Sequence, residues 1–341
     1  MNTRLIASLA AVLLGAAPVA ATAQGAAAPV RIRLGTLVPQ GTSYHRILQT
    51  MGEAWRTATN GRVQTTVYAG TMGSEGELVR RLRLGQLQAA TLSGVGMKEL
   101  EPGIGAVQSV PMLFRSIAEL EFVMSRIEAD LNRRLYERGF VVLFWADAGW
   151  VRFFSRTAAT RPDEFRRMKL FITAGETEEF DIMRSAGYQP VALEWTDALT
   201  SLQTGMIDAL ETIPFYALAG QFYTVASHML ELNWAPLIGA TVVSRRTWES
   251  LPEETRTALR AAAVASGREF KARALAEAEE SVAAMRQRGL VVHPVTPAVE
   301  QEWRTVAETF YPRIRGTMAP ADMFDQVQRL LAEYRARPPA R

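Results

Sequence analysis

The sequence predicts an α/β protein of two lobes with mixed sheets and a long bracing helix near the C-terminus. Three observations carry that reading. The stretch from Gly139 to Glu176 holds three apolar runs rich in β-branched and aromatic residues, Phe140–Trp145, Trp150–Ser155 and Met168–Thr173. Short continuous runs of this kind mark strands buried on both faces. A helix–Gly–strand unit also occurs twice, because Leu82–Ala90 and Leu202–Leu210 share Leu, Gly and Ala at equal spacing. Finally, Pro252-Glu253-Glu254 opens a segment rich in Ala, Glu and Arg that runs to about Arg288. A helix of about 35 residues would extend on the order of 50 Å, enough to touch both lobes.

The elements follow in order. Val30–Leu37 alternates as a strand and ends in a turn at Val38–Ser43, whose Thr or Ser can cap a helix carrying His45–Thr57. Asn60-Gly61 is a turn, and Arg62–Tyr68 is a second alternating strand. A Gly-rich turn, a helix over Glu77–Leu84 and a strand over Leu87–Leu92 complete the opening of a doubly wound unit. Ser93-Gly94-Val95-Gly96 follows. It is either a plain strand-to-helix turn or a helix start whose N–H groups face a bound polar group.

A long amphipathic helix, Ile117–Arg138, ends at Gly139. Pro162-Asp163-Glu164 starts a helical turn, with Pro at its first position and acids in its first turn. Beyond it lie a helix over Glu178–Ala186, short strands at Val191–Leu193 and Met206–Leu210, and a further strand at Pro236–Val243. After the long helix come a strand at Leu290–His293 and helices over Pro297–Tyr311 and Pro320–Tyr334.

Of the 341 residues, 48% are hydrophobic and 21% charged, which suits one large or two medium domains. Arg4, the apolar run Leu5–Leu14 and the small-residue site Ala21-Thr22-Ala23 predict a signal peptide over residues 1–23, hence a periplasmic protein. That run is too short to span a bilayer. With no cysteine, neither disulfides nor thiolate metal sites are available. The net charge of +3 is spread among interleaved acids, as on solvated helix faces, so nucleic-acid binding is not indicated. The three histidines lack metal-ligand spacing, and no GxSxG, HExxH or CxxC motif occurs. Catalysis, metal and cofactor are therefore not expected.

Several segments together carry a family resemblance: Gly35–Gln49 (GTLVPQGTSYHRILQ), Thr59–Gly70, Gly73–Ala90, Val110–Phe114, Arg161–Phe171 (RPDEFRRMKLF) and Ala198–Glu211 (ALTSLQTGMIDALE). On these the chain resembles the periplasmic solute-binding proteins of TRAP transporters, DctP type. The resemblance implies a two-lobed periplasmic-binding-protein fold, class II-like, that closes on a small organic acid or related solute in an interlobe cleft. It also implies delivery to the membrane subunits of a TRAP-type secondary transporter, from a monomer or a homodimer. Residues 24–148 with about 236–265 would form one lobe, and 149–235 with about 277–341 the other. The helix over about 253–288 would span both. An ABC importer or sensor kinase is the alternative partner, and a secreted enzyme on the same fold is a more distant alternative.

One departure from the family matters. Its members usually read Lys-(apolar)-Arg where this chain reads Lys169-Leu170-Phe171, and that Arg clamps the ligand carboxylate. The Asn often found after the second repeated strand is replaced by Thr212, while Arg152 falls near the place of a second ligand-contacting Arg. A less polar or aromatic organic acid, or a neutral solute, is thus expected. Trp145, Trp150, Phe171, Trp195, Phe215 and Tyr216 would form the walls, with Arg152, Thr173, Glu176, Ser93 and Thr212 as polar contacts.

Overall fold

The computed structural model describes residues 28–337, so the expected signal peptide lies outside the described residues. The first half of the chain runs β1 (Val30–Thr36), α1 (Ser43–Ala58), β2 (Val63–Ala69), α2 (Glu75–Arg83), β3 (Ala89–Ser93), α3 (Gly94–Leu100), α4 (Gly105–Gln108) and α5 (Ile117–Glu137). It continues through β4 (Phe140–Ser155), α6 (Pro162–Phe165), β5 (Lys169–Thr173), α7 (Thr177–Ser185), β6 (Gln189–Leu193), α8 (Ala198–Thr204), β7 (Ala209–Thr212) and α9 (Pro214–Ala219). The remainder is β8 (His228–Ser244), α10 (Arg245–Glu249), α11 (Glu253–Arg286), β9 (Val291–His293), α12 (Pro297–Ile314) and α13 (Ala321–Arg335).

The strands form one mixed sheet in the order β2-β1-β3-β8-β4-β7-β5-β6, with β9 beside β8. Pairings of β1 with β2 and β3, and of β5 with β6 and β7, are parallel. The two long strands β4 and β8 pair antiparallel with each other, and also with β7 and β3 respectively. They therefore belong to both halves of the sheet. The two expected strands at Phe140–Trp145 and Trp150–Ser155 are one continuous 16-residue strand, with pairing irregularities between Val142 and Phe144, Asp147 and Trp150, and Val151 and Phe153. Such bulges bend a strand and raise its local twist, letting one strand serve both halves. The expected strand at Pro236–Val243 likewise begins earlier, at His228.

Helix α11 is 34 residues, about 50 Å long. Indole N–H of Trp55 on α1 donates to the Leu259 carbonyl at 2.9 Å, and Ser43 donates to Glu277 at 2.6 Å. Gly267 lets the helix approach β4 so closely that a Cβ there would stand 2.7 Å from Cβ of Phe144. Further along, Met285 enters a smaller apolar cluster with Phe154, Phe171, Leu202 and Phe222. The long helix thus contributes to both apolar clusters. Residues 277–341 were expected together in the second lobe, but α13 packs on α5 and α4. Its Arg335 binds the buried Glu119 of α5 through two bonds at 2.8 Å. The amphipathic period predicts a helix at 320–334 but carries no information about which surface receives its apolar face.

The repeated helix–Gly–strand unit is present at the level of individual hydrogen bonds. Gly85 and Gly205 both adopt the left-handed conformation, at φ +72° and +71°. After each glycine, two successive amides return to one carbonyl of the helix. Gln86 and Leu87 donate to Arg81, while Met206 and Ile207 donate to Ser201. A cation closes each unit, since Arg33 and Lys169, each on the strand β1 or β5 that flanks it, donate to the Gly85 and Gly205 carbonyls. An L side chain at this φ costs roughly 1–2 kcal/mol. Gly85→Ala and Gly205→Ala are each expected to lower the unfolding free energy by about that amount in urea titrations. Unchanged midpoints in either variant would contradict the equivalence of the two turns.

Candidate functional site

The parallel strands place their C-terminal ends at a common cavity of about 410 Å³. Crevices of this kind lie outside the carboxyl ends of strands in open α/β sheets. The first half contributes Leu37 after β1, Glu75 of α2, Ser93 at the end of β3, and Val95, Lys98 and Glu99 of α3. From the second half come Phe171–Thr173 of β5, Glu176, Glu179 and Met183 around α7, Trp195 after β6, and Glu211, Thr212 and Tyr216 around β7 and α9. Val151, Trp234 and Leu237 of the shared strands form the back wall, and Phe310 and Ile314 of α12 close another side.

Seven of the residues singled out from sequence line this cavity: Phe171, Thr173, Glu176, Ser93, Thr212, Trp195 and Tyr216. Phe171 is buried, and its ring meets Trp195 edge-on at 5.6 Å. Trp195 in turn meets Phe222 at 5.1 Å and Tyr216 at 6.2 Å, making a continuous aromatic wall. Four expected residues lie elsewhere. The Arg152 side chain reaches Glu231 at 3.3 Å rather than the cavity, and its Nε is buried without a partner. Trp145 donates its indole N–H to Asn132 of α5 at 2.8 Å. Trp150 pairs with Pro236 and packs on the apolar core. Phe215 packs at 4.6 Å against Tyr44 of α1. Aromatic content at a strand end does not reveal which face a side chain takes, and the bulges in β4 shift that alternation.

The turn at Ser93–Gly96 is indeed a helix start, capped by Ser93. Its donors are already engaged within the chain, however. Glu75 accepts from the Ser93 amide at 2.7 Å, the Ser93 hydroxyl at 2.6 Å and the Gly96 amide at 2.7 Å. A carboxylate of the protein thus fills the place an anionic ligand would seek. Burial still raises the Glu75 carboxyl above its ordinary value, although these three donors oppose the shift.

Sequence reasoning did not single out Glu75, Glu99, Glu179, Glu194 and Glu211, which with Glu176 give the lining six carboxyl groups. Among the described lining residues, Lys98 alone is cationic. It is held 2.5 Å from Glu176, linking α3 to the N-cap of α7 across the cavity. Glu179 and Glu211 lie near enough for each to perturb the other. Burial and then the charge of Glu179 push Glu211 well above the ordinary carboxylate range, while burial foremost raises Glu179. Oε2 of Glu211 is buried, and the Glu211 and Glu179 side chains are hydrogen-bonded to each other. One signal for Glu211 exists in sequence: a carboxylate inside the short apolar strand Ala209–Thr212. Glu179, in a polar helical turn, gives none. Of the three histidines, His228 and His293 meet at 2.9 Å between β8 and β9. Among the described residues no group of three acids, histidines or cysteines is arranged to hold a metal.

This architecture, with a mixed sheet, two shared strands, one long helix and a ligand-sized cavity at the strand ends, defines an α/β solute-binding protein. The chain belongs to the bacterial extracellular solute-binding proteins of family 7, DctP, whose model matches residues 34–316. It is 26% identical over 289 residues to the C4-dicarboxylate-binding periplasmic protein DctP of Rhodobacter capsulatus, covering 82% of this chain and 85% of that one. In three dimensions it resembles a TRAP periplasmic solute-binding protein from Shewanella oneidensis with bound succinate, at TM-score 0.82 and 20% identity over 89% of this chain and all of that one. A Chromohalobacter salexigens counterpart with bound D-glucuronate gives TM-score 0.81 at 20% identity, covering 88% of this chain and 99% of the other.

The glutamate pair makes the stability of the empty protein depend on pH. The folded-state value of Glu211 lies above the ordinary 4.5. Its protonated form is therefore favoured by folding, and that contribution is complete below the unfolded value and lost as pH rises through the folded one. Glu211→Gln is expected to stabilise the ligand-free protein at pH 8 and to have little effect near pH 4.5, because it removes the cost of ionising a buried carboxyl. Chemical unfolding at the two pH values measures this. Equal destabilisation at both would contradict the assignment.

Proposed function

We propose that this protein is a periplasmic receptor, exported by the signal peptide at residues 1–23, that captures one small organic solute in the cavity and delivers it to the membrane subunits of a TRAP transporter. The observation that carries the reading is the cavity itself. It is of ligand size, lies at the strand ends of both halves, and is walled by Phe171, Trp195, Tyr216 and Trp234 in a chain of this family. The two lobes drawn above would close on the solute by hinge motion, with Lys98 and Glu176 meeting across the cleft. Transport calls for binding and release without bond-making, so no reaction is proposed and no resident cofactor is invoked.

Related proteins are described with bound succinate, D-glucuronate or L-gulonate. Where the family pattern places a carboxylate-clamping Arg, this chain presents the ring of Phe171. Removing that charge-assisted anchor leaves a stacking surface and favours a solute with a substantial apolar body.

The test is a thermal-shift screen of the ligand-stripped mature protein against organic acids, sugar acids, amines, zwitterions and neutral polar solutes. Mass spectrometry of whatever co-purifies with the native protein accompanies it. A ligand at a hundredfold excess over its Kd adds about 2.7 kcal/mol of stability, a readily visible shift. At least one solute is expected to stabilise the protein, and Trp195→Ala is expected to abolish the shift. No stabilising solute and none retained on purification would overturn the proposal.

A further inference from the structure

Resting on that reading, the charge distribution of the cavity points to the chemistry of the solute. Six carboxyl groups face the space and one lysine does, and that lysine is already engaged by Glu176. The helix start that could have received an anion is filled by Glu75. Arg152, the other cation near the site, turns to Glu231. An incoming carboxylate would therefore meet no free guanidinium or ammonium among the described lining residues and several like charges. Glu211 and Glu179, by contrast, stand close together, their buried side chains hydrogen-bonded to each other, and both line the cavity. Ionising both members of such a buried pair is costly, and a cation brought by a ligand offsets that cost. Trp195 and Tyr216 line the same space, and aromatic faces attract organic cations as well.

We infer that the solute carries a protonated amine, held by the Glu179–Glu211 carboxyl pair and flanked by the aromatic wall of Trp195 and Tyr216. Any carboxylate on the same molecule would be secondary to that contact and would reach Lys98 only by competing with Glu176. Lys98 of α3 and Glu176 act on the pair through Glu179, and Phe171 of β5, Tyr216 and Glu75 of α2 line the same cavity. In the empty protein two adjacent buried carboxyl groups favour retention of a proton. An ammonium ion favours both in the ionised form, so its binding expels that proton to solvent. Affinity for amines then rises with pH until the pair is fully ionised.

The experiment is isothermal titration calorimetry on the full mature protein, in buffers of different ionisation enthalpy at pH 6 and pH 8. Benzylamine, ethanolamine, putrescine and 4-aminobutanoate serve as probes, against succinate, benzoate and glucuronate. Amine binding with net proton release, tighter at pH 8, supports the inference. So does a loss of roughly 10- to 100-fold in Glu211→Gln and Glu179→Gln, the equivalent of one charge-assisted hydrogen bond. Circular dichroism melts of both variants separate lost binding from lost folding, and Lys98→Met should retain the binding of amines that carry no carboxylate. Acids that bind while every amine fails would overturn the inference and leave the solute-receptor reading intact. Amine affinity unchanged in both glutamine variants would overturn it too. Failure of all probes, with no solute retained by the native protein, would sink both.

Discussion

The antiparallel pairing of β4 with β8 is the interaction on which the rest of the molecule depends. Each strand hydrogen-bonds to the other and to a strand of one half, β8 to β3 and β4 to β7. Without that seam the parallel units β2-β1-β3 and β7-β5-β6 would have no common frame, and their strand ends would not face a shared space. The bulges in β4 supply the bend that two differently oriented halves require. Helix α11 reinforces the seam from behind through Gly267 against Phe144, a contact that tolerates no side chain without displacement.

Much of this was legible because it rests on local chemistry. The helix–Gly–strand units are written in residues whose backbone preferences leave few options, and both glycines adopt a left-handed turn. The order of strands and helices and the long helix follow from periodicity, and the family was carried by motifs spread over most of the chain. What escaped depended on distant pairing. The first part of β8, His228–Trp234, mixes charged and apolar residues and reads as strand only once β4 and β9 stand beside it. Arg152, Trp145, Trp150 and Phe215 sit in or beside strands that border the cavity, yet the facing of each is decided by bulges and by partners on α1, α5 and β8. Glu179 shows nothing unusual in sequence. Its surroundings are set by the fold, which brings to it Lys98, Glu176 and Glu211, the last 32 positions away.

The site is governed less by what it offers than by what is already spoken for. Lys98 is held by Glu176 and the α3 start by Glu75, while the ring of Phe171 is set against Trp195. Such a cavity discriminates by occupied donors as much as by free acceptors, since a solute must match what remains. A buried carboxyl pair that must keep a proton is a standing cost in the empty state at high pH, and sites of that kind are where folding stability and ligand recognition trade against each other.

The same seam also dictates the order in which the protein can assemble. Each helix–Gly–strand unit closes within a short stretch of chain, whereas Ser155 must find His228 and Phe140 must find Ser244. Those encounters close loops of roughly 70 to 100 residues, and such distant closures are slow compared with local turns. Nascent chain lacking residue 244 has no completed frame, so early intermediates consist of independent local units with the edges of β3 and β4 unpaired. Such exposed edges invite association with other chains. The kinetic hazard of this architecture is therefore concentrated in the interval before β8 arrives.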